Sequence, residues 1–274
     1  MKRIATIQDL SCVGRCSLTV ALPIISAAGI ECCGIPTAVL SNHTGFPKFY
    51  KRDLTEDLAK ISNCINSLGI TFDAIYTGYV ANVSQMDFIE GFIGEFRREG
   101  APVFIDPVMG DGGRLYSQIT DDYAERMRRL CADADVITPN LTEAALLLEE
   151  DYHDTPSADA IREMLKKLHA LGTSAAVITG IPRGNDIGFI AYDGNDFYEE
   201  FSVKQDLECM GTGDIFASAM LAAMVRDKGF RRALETAARF TAESVAATAN
   251  DSERRFYGVN FEQALPKLIK LLEQ

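Results

Sequence analysis

The chain has 274 residues, 47% of them hydrophobic, with 27 basic and 39 acidic side chains and a formal net charge of −12. That length and apolar content suit one large α/β domain with a substantial core and exclude a disordered chain. The acidic balance disfavours nucleic acid and anionic membrane as partners, so a phosphate-bearing ligand must be held by local features such as helix N-termini.

Residues 3–8 predict a strand and 16–29 a helix. Residues 32–40 return to strand. Residues 54–69 read as a helix, with Thr55 as its cap and Gly69 as its stop. Strands at 72–79, 102–108 and 135–140 are separated by helices at 84–100 and 120–134. Helices at 141–148 and 157–172 precede a strand at 174–180. This β-α-β-α order predicts an α/β fold, a mostly parallel central sheet between two helical layers. "DIGFIAYDGNDFYEEFSV" breaks the rhythm and reads as a hairpin at one sheet edge, turning at Asp193-Gly194-Asn195. Helices at 214–226, 230–249 and 261–272 close the chain. No repeat or linker is visible, so residues 1–274 are taken as a single domain.

Seven cysteines occur, Cys12, Cys16, Cys32, Cys33, Cys64, Cys131 and Cys209. The odd count without a C-x-x-C pair argues against a zinc ribbon or disulfide framework and suits a reducing cytoplasm. "MKRIATIQDL" has no apolar signal region, and no run approaches the roughly 20 apolar residues of a membrane span.

In an open parallel sheet, ligands collect beyond the carboxyl ends of the strands. Here those ends carry Gln8-Asp9, "SNHTGFPKF", "TGY", "DPVMGDGG", "TPNLTE" and Thr179-Gly180. Each of these alone suits an ordinary loop or cap; together they suggest a site. "ECMGTGDIFAS", residues 208–218, adds the chemistry. Gly211 and Gly213 permit a tight turn, and the apolar spacing that follows is helical. The turn is therefore a helix N-terminus that can stabilise a growing anion. Asp214, in the first turn, is either a favourable N-terminal acid or a general base beside that anion hole. No P-loop and no G-x-S-x-G occur, and a dinucleotide fingerprint is weak.

Four stretches together resemble the pyridoxal (vitamin B6) kinases of the ribokinase-like superfamily: "GTGD", "PNLTE", "DPVMGD", and "SNHTGF" with "TGY". The resemblance runs from Ile7 to beyond Phe216. It implies a ribokinase-like three-layer fold and ATP-dependent phosphorylation of the 5′-hydroxymethyl group of a B6 vitamer. Asp214 would be the base, and Gly211, Thr212 and Gly213 the anion hole. Asp106, Asn140, Glu143, Thr179 and Thr212 would serve the nucleotide, with Asp106, Asp111 and Glu143 holding Mg²⁺. Many members also use a monovalent cation such as K⁺. His43, Thr44 and Tyr79 match ring-contacting positions. The family commonly forms homodimers.

Strand one departs from the family pattern. Many members read Ile-Gln-Ser where this chain has Ile7-Gln8-Asp9, so Asp9 or Ser11 stands where a serine faces the pyridine nitrogen. Asp9 either meets the ring or turns to cap the helix near Ser17 or to pair with Arg15. Cys209 reads as a small, partly buried residue near the anion hole. Residues 41–53 are expected to form a mobile loop that closes over the vitamin. Rival readings are a hydroxymethylpyrimidine kinase of the same fold, a sugar or nucleoside kinase, and a non-catalytic B6-phosphate binding protein.

Overall fold

Short apolar strands alternate with amphipathic helices because each sheet face must be covered by a helical layer. The computed structural model describes residues 1–116, 119, 121–207 and 210–274. In chain order the elements are β1 (Arg3–Ser11), α1 (Leu18–Ala27), β2 (Glu31–Leu40), β3 (Lys51–Asp53), α2 (Thr55–Ser67), β4 (Ala74–Thr77) and α3 (Val83–Phe96). Then come β5 (Val103–Ile105), β6 (Gly110–Asp111), β7 (Arg114–Leu115), α4 (Asp121–Ala132), β8 (Val136–Ile137), α5 (Leu141–Leu148) and α6 (Ala158–Ala170). β9 (Ala175–Arg183), β10 (Asp186–Tyr192), β11 (Phe197–Val203), α7 (Thr212–Val225), α8 (Phe230–Ala249) and α9 (Leu265–Glu273) complete the chain.

Among the described residues one nine-stranded sheet runs in the order β11-β10-β9-β8-β5-β4-β1-β2-β3. The strands from β9 to β2 in that order are parallel. The expected hairpin, β10 with β11, forms one antiparallel edge, and β3 forms the other. Alternate side chains of a strand enter opposite layers. Ile4, Tyr76, Phe104, Val136 and Val177 pack beneath α1, α7 and α8. Ala5, Ile75, Ile105, Ile137 and Ile178 pack against the helices between α2 and α6. The three-layer α/β/α architecture expected from the sequence is therefore present. No helix among the described residues is long and apolar enough to cross a membrane.

Several local expectations are corrected. Thr55 is not the cap of α2. Leu54 holds that place, and the Asp53 carboxylate accepts from the Thr55 amide at 2.8 Å. Gly69 does end the helix, with φ of 62°. Residues 41–53 are not one loop, because Lys51–Asp53 folds back as β3 and pairs with Ala38–Leu40. β5 and β8 stop short of the predicted ends because Pro107 and Pro139 follow closely and cannot donate to a ladder. An unforeseen small hairpin, β6 with β7, turns at Gly112 and Gly113, both with positive φ.

β1 is flanked by β2 on one side and β4 on the other. Strand order reverses there, so a crevice opens beyond the carboxyl ends of β1 and β4.

Candidate active site

The centre of the site is the start of α7. Gly211 is its N-cap, with φ of 82° and no side-chain cap bond. A Cβ at this position would lie 2.1 Å from the Arg15 carbonyl oxygen, so both backbone conformation and space require glycine. Without a capping side chain, the first amides of the helix and its positive dipole end stay open to an anion. Thr212 and Gly213 form the first turn, and Gly213 faces Asp106: a Cβ there would sit 3.9 Å from Asp106 Oδ2.

Asp214 accepts from the Ser17 amide at 3.0 Å, which turns its carboxylate toward the β1–α1 connection. The residue as a whole is half-buried, yet its carboxyl group lies deep. Burial pushes its pKa up to about 7, the Ser17 bond opposes the shift, and the charge of Asp9 adds to it. A carboxylate with that pKa is a competent general base near neutrality.

Asp106 follows β5 and Glu143 stands in the first turn of α5; both are buried. Burial, then the charges of Glu143 and Asp214, holds the Asp106 carboxyl well above its ordinary range. Burial also pushes Glu143 up to about 8, against backbone bonds that favour its charged form. Glu143 and Asn140 form a complete capping box. Glu143 Oε1 accepts from the Met109 amide at 3.1 Å and Oε2 from the Asn140 amide at 2.9 Å. Asn140 Nδ2 donates to the Gly110 carbonyl at 2.8 Å, tying the helix to the loop after β5. Thr179 is half-buried and lies beside Asn140 through a parallel bridge.

The three expected metal ligands are not brought together equally. Asp106 and Glu143 are buried neighbours, whereas Asp111 is exposed on β6 and accepts from the Gly112 amide at 2.8 Å. Its charge still reaches Glu143. Among the described residues no three His, Cys, Asp or Glu side chains converge as a ligand set. A hard ion held here would keep several waters, as Mg²⁺ commonly does. The mutual repulsion of Asp106 and Glu143 is what a cation would relieve. The buried Thr138 hydroxyl beside Asp106 lacks a partner of ordinary geometry and offers one more oxygen.

Across the crevice, Asp9 is buried, its pKa raised by desolvation and held back by the Ser17 and Ser11 hydroxyls. Ser11 Oγ donates to Asp9 Oδ2 at 3.2 Å. Arg15 does not meet Asp9, because it pairs with Glu262 at 2.8 Å and donates to Asn260 Oδ1 at 2.8 Å. His43 is buried, and its Nδ1 accepts from the Gly45 amide at 3.0 Å. Its Nε2 must then carry the proton and donate to the Tyr257 carbonyl at 3.1 Å. Thr44 is exposed at the loop tip, and Tyr79 is half-buried.

Lys51, like Thr138, lies among the candidate site residues and was missed by sequence reasoning. Its Nζ lies 3.4 Å from the Tyr79 hydroxyl and 5.4 Å from the ring centre, and its charge draws the Asp9 pKa down. The only signal in the sequence was the mixed charge of residues 41–53. Cys16 also sits beside Asp214 and Asp9, but burial and those charges push its thiol up to about 12. It is therefore a weak nucleophile. Cys209 lies outside the described residues.

The phosphomethylpyrimidine kinase family model matches residues 22–257. A pyridoxal kinase from Ovis aries is 29% identical over 77% of this chain and 72% of its own. A crystal structure named as a phosphomethylpyrimidine kinase from Bacteroides thetaiotaomicron, in a form with pyridoxal, is 37% identical. It covers 97% of this chain and 95% of its own, with a TM-score of 0.93. The pyridoxal kinase of Lactobacillus plantarum is 30% identical over 100% of this chain and 98% of its own, with a TM-score of 0.91.

Proposed function

We infer the function from one premise: this chain belongs to the phosphomethylpyrimidine kinase family, within the ribokinase-like superfamily. It is a pyridoxal kinase-type enzyme that uses ATP to phosphorylate the 5′-hydroxymethyl group of pyridoxal, pyridoxine or pyridoxamine. The observation that carries this reading is Asp214, with a pKa of about 7, at the mouth of an uncapped helix N-terminus. Asp214 accepts the alcohol proton as that oxygen attacks the γ-phosphorus. The amides at the start of α7 receive the charge that develops on the transferred group. Thr212 and Thr179 lie on the nucleotide side of the same edge.

Asp106 and Glu143, with Asn140 orienting Glu143, would hold Mg²⁺ and its waters, and Asp111 would act from the rim. The Asp106 carboxylate with the Thr138 hydroxyl suits K⁺. Bound there, such cations would neutralise phosphate charge. On the vitamin side, Asp9, His43, Thr44 and Tyr79 surround the ring, and Ser11 acts through Asp9. Both nitrogens of His43 are engaged within the protein, so it offers the ring a carbon edge rather than a hydrogen bond. The working unit is a cytoplasmic homodimer, which light scattering and fractionation check.

The family's name favours a second reading, hydroxymethylpyrimidine as the alcohol. ADP release measured across pyridoxal, pyridoxine, pyridoxamine and hydroxymethylpyrimidine separates the two. Turnover confined to the pyrimidine would replace the first reading with the second, and ADP release with none of the four would end both.

A further inference from the structure

We propose that Phe256 and Tyr257, in the connection between α8 and α9, are positioning residues that latch loop 41–50 in its substrate-ready place. The kinetic part of this proposal rests on the vitamin kinase reading above.

Ring contacts and one shared carbonyl make the latch. The Phe46 ring meets Phe256 edge-on at 4.9 Å between centroids and stacks on Tyr257 at 5.5 Å. Phe46 also lies 5.0 Å from the His43 ring. The Tyr257 carbonyl accepts from His43 Nε2 at 3.1 Å and from the Arg15 amide at 3.2 Å. One carbonyl from the C-terminal part of the chain thus fixes the tautomer of a loop histidine and the turn after β1.

The latched loop reaches the reaction centre. A Cβ on Gly45 would fall 2.5 Å from Met210 Cε, so the loop tip rests against the residue preceding the anion-hole glycine. A Cβ on Gly14 would fall 2.5 Å from His43 Cδ2, and the Arg15 carbonyl backs onto Gly211. Loop 41–50, the turn at 13–16 and the start of α7 are therefore packed in series, with Phe256-Tyr257 as the outer clamp. Phe256 is 67% exposed despite its ring contacts, so core packing does not account for it.

An aromatic pair of this geometry accounts for about a two- to tenfold change in an equilibrium. The test compares full-length wild type with Phe256→Ala, by hydrogen exchange without ligand and by KM for pyridoxal and for ATP. Faster exchange at residues 43–50 is expected, with a pyridoxal KM raised about two- to tenfold. kcat and the ATP KM should stay near wild type, because the loss is one of uniform vitamin binding. Phe256→Tyr should restore both readouts. In a double-mutant cycle, Phe46→Ala and Phe256→Ala should be less than additive, because both remove the Phe46–Phe256 contact.

Wild-type exchange and pyridoxal KM in Phe256→Ala would overturn the latch. So would a parallel rise of both KM values, which is the signature of general loosening, or full additivity in the cycle. If wild type phosphorylates no vitamer, the kinase reading fails, and the exchange comparison alone decides the latch.

Discussion

Two helices start at the same edge of the sheet, and their N-termini are built in opposite ways. α5 opens with Asn140 and Glu143, whose side chains and amides satisfy one another in a capping box. α7 opens with Gly211 in a left-handed conformation and no side-chain cap. Every helix start leaves about four amides without intrahelical partners. At α5 the chain consumes part of that demand itself, and the helix end becomes a rigid mount for Glu143. At α7 part of the demand is left open, which is what the proposed anion hole requires. The capping residue sets how much of that demand each helix satisfies for itself.

The sharpest way to break the comparison is to remove the base from the open end. Asp214→Asn should lower kcat by about 10²–10⁴, the range of general base catalysis, with little change in ATP binding. Steady-state kinetics checks this, and near-wild-type turnover would take Asp214 out of that role.

Displacing the open end comes next. Gly211→Ala drives a Cβ into the Arg15 carbonyl and strains a positive φ. It should lower kcat by about 10²–10³, as loss of an anion-hole donor does. Single-turnover phosphoryl transfer with retained far-UV dichroism would show that the loss is local. A fast Gly211→Ala enzyme would mean that the open end is not the anion hole.

Proton supply gives a smaller, graded test. The base must be ionised, so kcat/KM, which reports the free enzyme, should fall about tenfold per unit of pH below the Asp214 pKa of about 7 and level off above it. Stability should move the other way. A carboxyl whose folded pKa is raised binds its proton more tightly when folded. Its contribution is full below the unfolded value of about 3.9 and is lost as pH rises through about 7. Urea midpoints of Asp214→Asn should therefore depend less on pH between about 4 and 7 than those of wild type. Equal slopes would count against the shifted carboxyl.

The smallest effect should come from α5. Asn140→Ala removes a cap and should destabilise the fold by about 0.5–2 kcal/mol. Thermal or urea unfolding reads that loss. The same change at an already uncapped helix end has no counterpart, which is the contrast between the two.

Much of this was legible in the sequence. The glycine turn before Asp214 and the N-x-x-E spacing at Asn140 are local patterns, and local patterns fix helix starts. The hairpin at residues 186–203 was legible for the same reason. Lys51 was not, because its place beside Tyr79 depends on β3 folding back onto β2. Nor was the shortness of β5 and β8, where proline outweighs apolar content.

By itself the sequence determined the alternation of strands and helices, the side chains at the sheet edge, and the glycines that α7 needs. These follow from periodicity, chirality and the missing Cβ, which act over a few residues. Only the tertiary structure decided which carboxylates are desolvated and by how much, and which partners complete His43. The Asp214 pKa arises from burial beneath elements distant in the chain, with Ser17 as its bond partner and Asp9 as a charged neighbour. His43 is held by a carbonyl 214 residues away. Desolvation and long-range hydrogen bonds depend on what the fold brings near, and no local pattern encodes that distance.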